Sequence, residues 1–114
     1  MNVVVCGGRK QRLTPEREAK LSEVLWQLND GRLTLILGGA QGIDTDVEEA
    51  SYAWGYPFRR FDADWGRYGD DAGPFRNEEQ AKVGDVVVAF PGGSGTCDMV
   101  RRMRAKGARV IYLT

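Results

Sequence analysis

The sequence predicts a three-layer α/β fold, with a five-stranded and mainly parallel sheet covered by helices on both faces, formed as one domain over residues 1–114. Three observations carry this expectation. Short apolar, largely β-branched runs alternate with helical apolar stripes along the whole chain, the pattern of repeated strand–helix–strand units. The apolar runs are continuous rather than alternating, as strands buried on both faces require. Glycine clusters follow the strand-like runs, where tight turns into the next helix are needed.

The elements follow in order. Asn2 to Cys6 reads as a buried strand ended by Gly7-Gly8. Thr14 is a good N-cap and Pro15 a good first helical residue, and Leu21, Val24, Leu25 and Leu28 fall on one helical face before Asn29-Asp30-Gly31 stops the helix. Leu33 to Leu37 is the second strand. After Gly38-Gly39-Ala40-Gln41-Gly42, a second helix aligns Ile43, Val47, Ala50 and Trp54 and closes at Gly55. Pro57 to Phe61 gives a weaker third strand. The polar, aromatic stretch from Asp62 to Gly73 is too long for a bare connection and reads as a ligand-facing loop. Pro74 opens a third helix to about Val83, Asp85 to Phe90 forms the fourth strand, and Pro91-Gly92-Gly93-Ser94-Gly95-Thr96 leads into a last helix with Thr96, Met99, Val100 and Met103 on one face. Gly107 ends it, and Arg109 to Leu113 is the fifth strand. The crossovers are expected to be right-handed.

Charge and composition narrow the function. Hydrophobic residues at 42% and charged residues at 28% exclude a disordered chain, and no apolar run is long enough for a membrane helix. Lys plus Arg equal Asp plus Glu at 16 each, so no global field attracts nucleic acid and any phosphate site has to be local. The start from Met1 to Arg9 lacks a basic leader and a cleavage site, which predicts a cytoplasmic protein. Two cysteines and no histidine remove a disulfide scaffold and the main residue of zinc, haem and Ser-His chemistry. No metal site is assigned, although a carboxylate-held magnesium stays open.

In an open parallel sheet ligands collect beyond the carboxyl ends of the strands. The distinctive residues sit there: Gly7, Gly8 and Arg9 after strand one, Gly38, Gly39 and Gly42 after strand two, Asp62, Asp64 and Trp65 after strand three, and Gly92, Gly93, Ser94, Gly95 and Thr96 after strand four. The last loop is the most informative. Its glycines let backbone approach an anion, Ser94 and Thr96 add hydroxyls, and the helix behind supplies free N–H groups and the positive end of its dipole. None of the loops reads as G-x-G-x-x-G or as a Walker loop, so neither a dinucleotide dehydrogenase nor a P-loop NTPase is indicated.

Four segments taken together carry a resemblance: Gly38-Gly39-Ala40-Gln41-Gly42-Ile43-Asp44, Ala63-Asp64-Trp65, Ala72-Gly73-Pro74-Phe75-Arg76-Asn77 and Pro91-Gly92-Gly93-Ser94-Gly95-Thr96. In their order and spacing they resemble the YspA-like branch of the SLOG superfamily, which includes the cytokinin-activating LOG proteins and the DNA-processing DprA proteins. The resemblance spans nearly the whole chain. It implies a Rossmann-like sandwich and a site for nucleotides or nucleotide-derived small molecules, and for this branch no settled reaction. The LOG proteins hydrolyse the N-glycosidic bond of nucleoside monophosphates with an arginine before the fourth strand and a glutamate after the glycine loop. Arg76 matches the arginine, whereas the glutamate position falls on Met99. Asp98 is the adjacent acid, but one helical step turns it about 100° from Met99.

Individual residues carry two readings each. Arg76 is an anion clamp or a surface partner of Glu78 or Glu79, and Arg9 reaches the same anion or stays isolated. Asp44 contacts a ribose hydroxyl or a water, or only caps its helix. Asp98 supports charge at a sugar carbon, or complements the helix dipole and pairs with Arg102. Asn77 belongs to the matched Arg76 segment. Trp65 and Tyr68 stack on a base or pin the loop, Cys97 is read as a small buried residue, and Trp26 lies off its helix stripe where a second copy of the chain would reach it. The leading expectation is a module that binds or senses a nucleotide-derived ligand. A phosphoribosyl-processing hydrolase is the alternative, with Arg76 and Asp98 as its catalytic candidates, and a DprA-like nucleic-acid role ranks last because the net charge is zero.

Overall fold

The computed structural model describes residues 1–114. Its elements are β1 (Asn2–Cys6), α1 (Pro15–Leu28), β2 (Thr34–Leu37), α2 (Ile43–Trp54), β3 (Phe58–Arg60), α3 (Trp65–Tyr68), a 3-10 turn (Gly69–Asp71), α4 (Ala72–Val83), β4 (Val86–Ala89), α5 (Ser94–Ala105) and β5 (Arg109–Tyr112). All five strands are parallel, in the order β3-β2-β1-β4-β5. The expected α/β sandwich is therefore present, with no antiparallel strand.

Side chains alternate between the two sheet faces, so each strand feeds two cores. Val3, Val5, Leu35, Leu37, Val86 and Val88 pack with Leu21 and Leu25 of α1 and with Ile43 and Val47 of α2. Val4, Ile36 and Val87 pack with Ala81 of α4 and with Met99 and Met103 of α5. Those two clusters define the three layers. β1 and β4, central in the sheet, are buried along most of their length because helices cover both faces.

The helix ends follow local chemistry. Thr14 accepts a hydrogen bond from the Arg17 amide at 3.3 Å, and Pro15 opens α1. Gly55 ends α2 with φ +78°, the left-handed conformation a C-terminal glycine supplies without strain.

The expectation for residues 62–73 needs correction. Rather than a loop, this stretch holds α3, the 3-10 turn and the first two residues of α4, which starts two residues before Pro74. Pro74 occupies the first turn, where its missing N–H costs nothing. Aromatic packing holds the segment: Tyr68 meets Phe75 edge to face at 4.9 Å, and a Cβ added at Gly73 would lie 3.2 Å from the Trp65 ring. No helix is long and apolar enough to cross a membrane.

Candidate anion-binding cleft

The chain leaves β1 towards β2 on one side and leaves β4 towards β5 on the other, so the sheet order reverses between β1 and β4. At such a switch point the two following loops splay apart and open a crevice. A cleft of about 920 Å³ lies there, a size suited to a small organic ligand. The β1 and β4 loops meet at its floor, where the Gly8 amide donates to the Pro91 carbonyl at 2.9 Å. Contact is so close that a Cβ at Gly92 would fall 2.8 Å from the Gly8 nitrogen.

Gly7, Gly8, Arg9, Asp44, Trp65, Arg76, Asn77, Gly92, Gly93, Ser94, Gly95, Thr96 and Asp98 border the cleft. Gly38, Gly39, Gly42 and Asp64 do not. The second glycine loop supports the site from behind. The Gly38 carbonyl accepts from Arg76 Nη1 at 2.6 Å, and a Cβ at Gly42 would lie 2.6–2.7 Å from the carbonyl oxygens of Gly8, Arg9 and Gln11. Gly42 is the residue that lets this loop seat against the β1 turn. Asp64 caps α3, accepting from the Arg67 amide at 3.1 Å.

At the mouth of β4, α5 begins without a side-chain cap on Gly93, and its first hydrogen bond runs from the Cys97 amide to the Gly93 carbonyl at 3.1 Å. The amides of Ser94, Gly95 and Thr96 therefore precede the helical ladder, at the positive end of the dipole. Gly92 to Gly95 are exposed, so no side chain plugs the mouth. A Cβ built at Gly93 or Gly95 meets no atom within 4 Å beyond its chain neighbours and the adjoining backbone of α5.

A hydrogen-bonded chain orients the arginine opposite. Arg76 Nε donates to Asn77 Oδ1 at 3.3 Å, and Asn77 Nδ2 donates to the Gly95 carbonyl at 3.1 Å and to Asp98 Oδ2 at 3.0 Å. Asp98 also accepts from Arg102 Nε at 2.9 Å and from Arg101. Partial burial raises the Asp98 pKa, but the bonds from Arg102, Asn77 and Arg101 outweigh it and hold the carboxyl below its usual range. Asp98 is thus an ionised anchor with its oxygens engaged, and Met99, at 1% exposure, sits in the core. For Arg76 burial lowers the pKa, Asp44 opposes this and Arg9 adds to it. Arg76 pairs with neither Glu78 nor Glu79, which instead face Lys82.

Arg9 lies over the Trp65 ring at 5.3 Å, so Trp65 positions a cation at the rim. Arg9, Lys10 and Arg76 all border the cleft, and none forms an ion pair with a carboxylate. Asp44, Asp70 and Asp98 border the cleft too, so its lining is formally balanced, with the three cations free of ion pairs while Asp98 is held by Arg101 and Arg102.

Asp44 is not a simple cap. Gly42 holds the N-cap position of α2, and Asp44 Oδ2 accepts from the Ala40 amide at 3.3 Å, outside the helix. Only 8% exposed, Asp44 has its pKa pushed up to about 6 by burial, against the Ala40 amide, Arg76 and the Gly38 amide. Beside it, burial and then the Asp44 and Cys97 charges push the Cys6 thiol up to about 12, so it stays protonated.

Sequence reasoning missed Lys10, Gln11, Asp70 and Gln80, which also border the cleft. Gln80 was within reach, since it lies one helical turn beyond Arg76 on the same face. Lys10 and Gln11 are brought in by the β1 turn, whose path a local pattern does not specify. Cys97 is exposed rather than buried, because it follows the open first turn of α5. No group of three or more His, Cys, Asp or Glu side chains is gathered in positions to hold a metal ion.

The X-ray structure of TM1055, a structural genomics target, superimposes with a TM-score of 0.68 over 96% of this chain and 71% of its own, at 20% sequence identity. At that identity the likeness shows the fold, a Rossmann-like α/β sandwich. No family model matches the sequence, and no curated protein matches it significantly.

Proposed function

We propose that the chain is a binding or sensing module of the YspA-like SLOG kind, which holds the phosphate of a nucleotide-derived small molecule at the amino end of α5. The observation that carries this reading is the uncapped, exposed amino end of α5 in a cleft also bordered by Arg9, Lys10 and Arg76, none of which is held in an ion pair. A phosphate supplies what this arrangement lacks, since its oxygens accept from backbone amides and from an arginine fork together. The resemblance of the four sequence segments to the SLOG proteins supports the same class of ligand. LOG-like hydrolysis fits less well, because Met99 is buried where the glutamate would stand and Asp98 is tied to Asn77, Arg101 and Arg102. A DprA-like hold on nucleic acid is disfavoured by the zero net charge of the chain.

Calorimetry against a panel of nucleoside mono- and diphosphates tests the proposal. Arg76→Ala is expected to weaken binding by about 10- to 100-fold, the usual range for a lost charge-assisted bond. Gly93→Val is expected to weaken it by about tenfold or more at an unchanged Tm, because the added side chain meets only what enters the cleft. No binding by the wild type, or binding indifferent to both substitutions, overturns the proposal.

A further inference from the structure

Among the fully buried side-chain polar atoms, one is left without a hydrogen-bond partner. Asp44 Oδ1 is fully buried without a hydrogen-bond partner, while Oδ2 accepts from the Ala40 amide and the Gly38 amide also favours the carboxylate. An unsatisfied buried polar atom is costly, and more so on a carboxylate. Arg76 favours the carboxylate through space but makes no hydrogen bond to it, because its Nη1 is directed to the Gly38 carbonyl and its Nε to Asn77. Asp44 nonetheless borders the same cleft as Arg76 and the α5 end. The cleft thus presents two kinds of recognition, donors for an anion and a buried acceptor with an open position.

We infer that Asp44 accepts a hydrogen bond from a hydroxyl group of the bound molecule, so that the cleft selects phosphate esters of a hydroxyl-bearing sugar over their deoxy counterparts. This rests on the proposed phosphate site and adds the second half of the ligand. A phosphate and a sugar hydroxyl belong to one small molecule, and a cleft of about 920 Å³ accommodates both. Selection of this kind is strong where a buried polar group is left unpaired by the wrong ligand.

Two arms separate this inference from the proposal beneath it. In the first, inorganic phosphate raises the Tm of the wild type, and Arg76→Ala removes the rise. In the second, calorimetry compares adenosine 5′-monophosphate with its 2′-deoxy, 3′-deoxy and 2′,3′-dideoxy forms. The dideoxy form is expected to bind about tenfold or more weakly than the parent. In Asp44→Asn the parent falls to the level of the dideoxy form, while the dideoxy form binds variant and wild type alike, which also reports an intact fold. If phosphate stabilises the protein but all four nucleotides bind equally, or none binds, the hydroxyl assignment is overturned and the anion site stands. If phosphate itself has no effect, the assignment fails together with the proposal it rests on.

Discussion

Asp44 shows how burial rather than sequence position sets a residue's chemistry. In the unfolded chain its carboxyl titrates near 3.8, and in the folded chain near 6, so the fold binds that proton more tightly. The contribution is complete below about pH 3.8, is lost as pH rises through 6, and leaves a deficit of about 3 kcal/mol above it. Asp44→Asn is therefore expected to raise Tm by several degrees at pH 8 and by little at pH 4, measured by thermal unfolding at both. An equal effect at both pH values would contradict the assignment. Two glycines give the converse test. Gly42→Ala places a Cβ among three carbonyl oxygens at φ +80° and is expected to cost more than about 2 kcal/mol in urea unfolding. Gly93→Ala meets open space and is expected to stay within about 0.5 kcal/mol. At this scale the sequence was only partly legible. Met99 announced its burial through the apolar stripe of α5, whereas Gly42 looked like a ligand contact because its neighbours in the β1 turn are distant in sequence.

Single elements were legible where their signals are local. The Thr14–Pro15 start of α1, the Gly55 stop of α2 and the end of α5 before Gly107 depend on capping chemistry written within a few residues. Residues 62–73 were not. Their glycines argue against helix, and the contacts of Trp65 with Gly73 and of Tyr68 with Phe75 that override this are products of folding. A further tertiary device escaped notice at the end of α4, where Lys106 Nζ donates to the carbonyls of Ala81 at 2.7 Å and Gly84 at 2.8 Å. Lys106→Met keeps the stem but leaves both carbonyls unmatched. It is expected to destabilise the protein by about 1–2 kcal/mol and to speed amide exchange in the last turn of α4, read by hydrogen exchange. Exchange unchanged there would show that the lysine adds nothing to that end.

For the molecule as a whole, strand–helix alternation foretold a parallel sheet, and the order β3-β2-β1-β4-β5 places its reversal where the β1 and β4 loops meet. Position in the sheet explains why glycines after β1 and β4 border the cleft while those after β2 brace it from behind, a distinction invisible before the strand order is known. Trp26 is exposed at 75%, as its place off the α1 stripe suggested. The central claim is that an anion occupies the amino end of α5. Backbone amide shifts in ¹⁵N-labelled protein titrated with adenosine 5′-monophosphate test it most directly. The amides of Ser94, Gly95 and Thr96 are expected to move first and farthest, with Arg9 and Arg76 following. Shifts centred on the outer faces of α1 and α2, or none at all at saturating nucleotide, would contradict it.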